Sequence, residues 1–172
     1  MQLSIICRHS DAQDLSYLLH KHPDKLQSFR VPAGKAFVFY PRYEKQICMV
    51  SLLLEINPLD LYKKLKRKGN PSLLHYVNDR PYVGSSFTST ALAKVFSSAL
   101  NGKCESHPDL PQRVMDFEVK LPILKIKGNS KIISRVFAPL NYEISAESLP
   151  LDPHFPQWGL SNYYRVNLKN RL

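Results

Sequence analysis

Between Ile47 and Ile56 the chain reads ICMVSLLLEI, eight apolar side chains interrupted by one serine and one glutamate. Successive strand residues point to opposite faces, so a run that is apolar at both parities does not suit a sheet with one wet face. The run predicts a central strand covered on both sides. Asn57 and Pro58 follow it as a helix cap and a first helical residue. At about 10 residues it is half a membrane span, so a membrane is not expected as a partner.

The other elements are read around that strand. LSIIC at Leu3–Cys7 is short, β-branched and apolar, a buried strand. Asp11 opens a helix with Asp14 in its first turn, Leu15, Leu18, Leu19 and His22 on one face, and Pro23 as its stop. KAFVFYP predicts a strand ended by Pro41. NPLDLYKKLKRKGN predicts a helix closing at Gly69, and a short helix or turn leads to the irregular segment Asn78–Pro81. A Ser-rich helix over Ser86–Asn101 stops at Asn101-Gly102. HPDLPQR is a proline-marked connector. Beyond it DFEVKLPILKI alternates Phe117, Val119 and Leu121 as a half-buried strand. NSKIISRVFAPLN is a helix capped by Asn129, with Ile132, Ile133, Val136 and Phe137 on one face. YEISAESL and YYRVNL are two further strands.

The sum is an α+β chain, with a mixed or antiparallel sheet, packed helices and two small lobes. An N-terminal α/β lobe occupies 1–105, a connector 106–114, and a β-α-β-β lobe 115–172. The chain stops at VNLKNRL, in or just past a strand, which reads as a shortened chain or one piece of a longer polypeptide.

The charge balance is basic, 24 Lys and Arg against 14 acids, a formal +10. Such a surplus attracts polyanions or an acidic protein, and charge alone does not choose between them. The densest run, Tyr62–Lys68, offers Lys63, Lys64, Lys66 and Arg67 to a phosphate backbone. A solvated helix end obeying the dipole rule explains the same residues. Cys7, Cys48 and Cys104 are an odd, widely spaced set with no Cys-x-x-Cys pair, which predicts reduced, mostly buried thiols in the cytoplasm. Cys7 and His9 share a strand face, but His20 and His22 stand two apart and diverge on a helix, so no zinc site is expected.

The stretch YVNDRPYVGSSFTSTALAKVF is the most suggestive chemically. A serine nucleophile fails, because Gly84-Ser85-Ser86-Phe87-Thr88 lacks the second glycine of the elbow. A phosphate loop fails, because no Gly-Lys-Ser/Thr follows a strand. Two readings of Ser85 and Ser86 stay open: they cap the helix, or with its free amides and Arg80 they hold a phosphate or carboxylate. The helix is amphipathic, with Leu92, Val95, Phe96 and Ala99 inward and Thr88 extending that face. Ser86, Thr90, Lys94, Ser97 and Asn101 lie opposite. Asn78, Arg80, Tyr82 and Lys94 form a candidate protein-contact surface, since Tyr and Arg are typical of interface hot spots. Arg80 as an internal bridge to Asp79 or Glu55 is the structural alternative.

The blocks DLSYLLHKHPDKLQSF, GKAFVFYP, LLLEINPLDL, HYVNDRPYVGSSFTSTALAKVFSSALNGKC and LPLDPHFPQWGLSNYYRVNL resemble, in order, the N-terminal half of the bacterial Hen-type 3′-terminal RNA ribose 2′-O-methyltransferase. The resemblance implies a role in bacterial RNA repair beside a polynucleotide kinase-phosphatase-ligase. It implies a non-catalytic domain that binds the RNA ligase and switches on its adenylation and sealing. S-adenosylmethionine, a divalent metal and methylation belong, on that resemblance, to a C-terminal half that these residues lack, so neither a cofactor nor a catalytic residue is expected here. An independent basic RNA-binding module is the alternative.

Overall fold

The computed structural model describes residues 1–32, 34–57, 81–126 and 130–171, with the backbone alone for 81–85. Its strands are β1 (Gln2–Arg8), β2 (Gln27–Val31), β3 (Gly34–Tyr43), β4 (Ile47–Ile56), β5 (Asp116–Lys125), β6 (Glu143–Pro150) and β7 (Leu160–Arg171). The described helices are α1 (Asp14–Leu19), α2 (Pro81–Val95), α3 (Ser97–Leu100) and α4 (Lys131–Phe137). The strands form one seven-stranded sheet in the order β2-β3-β4-β1-β5-β7-β6. β1 with β5, β2 with β3, β5 with β7 and β6 with β7 pair antiparallel. This is the α+β class expected. The helix expected after Asn57 falls largely outside the described residues, as does the turn before Pro81.

Two compact units divide the chain. One comprises Met1, Asp14–Tyr40 and Ser51–Gln112; the other comprises Gln2–Gln13, Pro41–Val50 and Arg113–Leu172. The passage at Gln112–Arg113 lies inside the 106–114 connector. The lobes read as 1–105 and 115–172 differ from this partition because β1 pairs with β5 from Ser4↔Lys120 to Cys7↔Phe117.

In the first unit α1 is shorter than the sequence reading. Asp11 lies in a turn, where its carboxylate accepts from Ser10 Oγ at 3.0 Å and its amide donates to His9 Nδ1 at 3.3 Å, so it does not cap the helix. The helix closes at Leu19, before Pro23. His20 takes the left-handed conformation at φ 54°, its amide reaches the Tyr17 carbonyl at 3.0 Å, and the Lys21 amide reaches the Ser16 carbonyl at 3.0 Å. That is a Schellman cap with histidine in the usual glycine position. Leu15, Ser16 and Leu19 are buried, while His22 is off the helix and exposed.

β2 was not foreseen, since QSFRV offers only two apolar residues. It exists as the partner of β3, registered from Gln27↔Val38 to Val31↔Gly34. Pro41 does not end β3, which continues to Tyr43. The ladder with β2 stops at Val38, so Pro41 lies where its missing N–H removes no bond to β2. β4 covers the apolar run Ile47–Ile56 and ends where expected; Lys45 and Gln46, read with the strand, precede it. Cys48, Val50, Ser51 and Leu52 are buried, which covers both faces of its first half; farther on Leu54 is buried while Leu53 and Glu55 are exposed. Two-sided cover therefore holds for only part of the strand.

In the second unit β5, β7 and β6 form the β-α-β-β arrangement with α4. Ile126, Ile133, Val166 and Leu168 are the buried cluster, with Val119, Leu121, Leu124, Phe137 and Ile144 packed against it. The register steps from Leu121↔Val166 to Leu124↔Tyr164, one extra residue on β5. This bulge resets the alternation, so that Leu121 and Leu124 both reach the core while Ile123 is exposed. On α4 the expected apolar face is narrower: Ile133 is buried and Phe137 packs on the core, but Ile132 and Val136 are exposed.

Candidate protein-docking surfaces

On the second unit, Asp116, Glu118 and Lys120 share one face of β5, opposite the face of Phe117 and Val119. Glu118 is only 8% exposed. It accepts a hydrogen bond from Asn167 Nδ2 at 2.8 Å, with Lys120 Nζ at 3.4 Å and an Arg8 guanidinium nitrogen at 3.7 Å. Burial pushes this carboxyl up, but the Asn167 hydrogen bond and the Lys120 and Arg8 charges together outweigh it and hold the group below the usual range. Asn167 Oδ1 is buried with no hydrogen-bond partner among the described residues. A groove of about 610 Å3 beside this face is lined by Arg8, Asp116, Glu118, Glu143, Lys169 and Arg171 among others. Its signs alternate, so it presents no single-sign field for a polyanion.

The same unit exposes the tip of the β6–β7 hairpin. Here Phe155 and Trp158 stack with centroids 4.7 Å apart and planes 15° from parallel. Phe155 is 45% and Trp158 58% exposed, and Leu151 and Leu160 beside them in sequence are more exposed still. The backbone beneath is well ordered by hydrogen bonds. The Leu151 amide donates to the Gly159 carbonyl at 3.0 Å, and the Asp152 carboxylate accepts from the His154 amide at 2.7 Å. The Phe155 amide donates to the Asp152 carbonyl at 3.3 Å and the Trp158 amide to the Phe155 carbonyl at 3.0 Å. Lower down, the Ser148 hydroxyl donates to the Ser161 carbonyl at 2.9 Å and the Ser161 hydroxyl to the Leu149 carbonyl at 2.7 Å. Gly159 adopts φ 85°, ψ −161°, a conformation that only glycine reaches readily. Sequence reasoning passed over this tip. Its signal was the chain's single Trp, placed with Phe155 in a proline-rich turn where polar residues are the rule.

The surface expected from the sequence belongs to the first unit. Helix α2 begins at Pro81, not Ser86. Proline is suited to the first helical turn, where its absent N–H leaves no bond unmade. Ser85 and Ser86 therefore lie inside the helix and do not cap it. The Ser86 carbonyl accepts from Ser89 Oγ and Thr90 Oγ1, each at 2.9 Å. Ala91, Val95 and Phe96 are buried, Leu92 half-buried, and Ser86, Thr90, Lys94 and Ser97 exposed, as the amphipathic reading had it; Ala91 is the inward residue it omitted. Lys94 Nζ donates to the Arg30 carbonyl at 2.6 Å, which commits one of its three protons to β2. Tyr82 and Ser85 lie on the helix backbone, and Asn78, Arg80, Lys63, Lys64, Lys66 and Arg67 lie outside the described residues. Helix α2 continues, after a break at Phe96, as α3, which ends in a Schellman cap at Gly102, φ 62°. Among the described residues no three His, Cys, Asp or Glu side chains gather into a metal site, and no helix is long and apolar enough to cross a membrane.

Over residues 1–172 the chain matches the family described as the RNA repair, ligase-Pnkp-associating region of Hen1. It belongs to that family. As described, this Hen1 region is an associating region rather than a catalytic domain. A similar solved structure is a chain of "Structure of the Pnkp1/Rnl/Hen1 RNA repair complex", with a TM-score of 0.56 and 12% identity over 99% of this chain. At that identity the likeness concerns the fold. The match spans 37% of that longer chain. No curated protein matches this sequence.

Proposed function

We propose that this chain is a non-catalytic docking and activating module for the RNA ligase of a bacterial kinase-phosphatase-ligase repair system, working in the cytoplasm. The observation that carries the reading is the family match along all 172 residues to a ligase-Pnkp-associating region. The module needs no cofactor of its own. S-adenosylmethionine and a divalent metal serve the methyltransferase half of the parent protein, beyond these residues. Docking raises ligase adenylation and sealing by holding the ligase in its competent conformation. The test is ligase self-adenylation with and without stoichiometric amounts of this chain. A rise supports activation, and unchanged adenylation despite complex formation reduces the role to tethering.

A second reading, an RNA-binding module, is favoured by the +10 charge. It requires RNA affinity that falls steeply with salt, whereas a complex held by packed apolar surface survives moderate salt.

A further inference from the structure

We infer that the β6–β7 hairpin tip, Phe155 and Trp158 flanked by Leu151 and Leu160, is the element that inserts into an apolar, acid-rimmed cleft of the ligase. This inference rests on the reading above and names the surface that does the docking. Four exposed large apolar side chains within ten residues are unusual on a turn, where isolated apolar residues need no explanation but a cluster does. A tip that merely tolerated them would be expected to be loose. This one is braced by the Asp152 turn, the Pro156–Trp158 turn and the Ser148 and Ser161 clasp, so the backbone carrying the aromatic pair is hydrogen-bonded across the hairpin. Preorganisation of this kind lowers the entropy lost on binding.

The occupant follows from three observations. The family associates with proteins, which makes the partner a protein surface. A stacked pair of aromatic rings occupies a cleft as one rigid block, the anchor that dominates interface energetics. Lys125, its ammonium 5.5 Å from the Tyr163 ring centroid, places a cation near the base of the hairpin on the same sheet region, and an acidic rim on the partner protein complements it. Base stacking by RNA is the competing use of exposed aromatics, but the alternating charges on this unit's polar face give no continuous track for phosphates.

The experiment compares the full chain with Trp158→Ala, Phe155→Ala and Trp158→Phe, measuring affinity for the ligase protein and, separately, for a single-stranded RNA oligonucleotide. Melting temperatures serve as the folding control. The expected result is about tenfold or greater loss of ligase affinity for each alanine variant, largely restored in Trp158→Phe, with unchanged melting. Ligase bound equally well by wild type and Trp158→Ala overturns the inference and leaves the docking function standing. Loss confined to RNA affinity also overturns it. A wild-type chain that binds no ligase overturns both.

Discussion

The Asn167 side-chain amide donates a 2.8 Å hydrogen bond to the Glu118 carboxylate, running diagonally from β7 to β5. Glu118 is the one acid among the buried residues of the described structure. Its ionised form is held by that amide and by Lys120 and Arg8, which overcome the effect of burial. Because its folded value lies below the ordinary 4.5, its stabilising contribution is complete above that pH and is lost as pH falls through the folded value. Glu118→Ala is expected to lower stability by about 1–3 kcal/mol at pH 7, since it leaves a buried amide unpaired. The gap to wild type narrows as pH falls below the ordinary 4.5 and through the lower folded value. Denaturant titrations at several pH values check this; a gap independent of pH would show that the charge is immaterial.

Gly34 sits at φ 154° at the start of β3, paired with Val31 of β2, and a Cβ there would run into the Glu55 carbonyl. Gly34→Ala forces β3 and the end of β4 apart. It is expected to destabilise by about 1–3 kcal/mol or more, read as a lower thermal midpoint.

The Cys48 thiol is pushed up to about 12, first by burial and then by the neighbouring Cys7. At pH 8 its thiolate fraction is on the order of one in ten thousand. Iodoacetamide is therefore expected to leave Cys48 unmodified in the native chain and to label it only after unfolding, as peptide mass spectrometry would show.

Lys94 joins α2 to β2 through the Arg30 carbonyl and is otherwise exposed. Lys94→Ala should cost no more than about 1 kcal/mol of stability. If the α2 face also touches the ligase, Lys94→Glu weakens the complex severalfold while melting stays close to that of Lys94→Ala. Binding isotherms and circular dichroism separate the two effects.

How much of this was legible depended on whether a signal was local. Strand β4 was readable from its apolar run Ile47–Ile56, with the end exact because Asn57-Pro58 stops it and the start within two residues because Lys45-Gln46 read as part of the strand. The second unit's β-α-β-β order was readable from alternation and one amphipathic segment. Other features depend on tertiary partners. β2 exists because β3 pairs with it, and the β5 bulge changed which parity is inward at Leu124. Burial of Glu118 was invisible because its partners, Arg8 and Asn167, come from neighbouring strands that are distant in sequence. At the candidate surfaces, periodicity found the outward residues of α2 correctly. It misplaced the helix start because Ser-Ser looked like a cap while Pro81 is the better initiator. The aromatic tip was hidden by its familiar look as a proline-marked turn.

The most direct test mixes the purified ligase with equimolar chain at moderate salt, isolates the complex, and measures adenylated ligase against ligase alone. The account predicts a stoichiometric complex and more adenylate per ligase. Ligase that elutes apart from this chain and adenylates to the same extent with or without it would contradict the account.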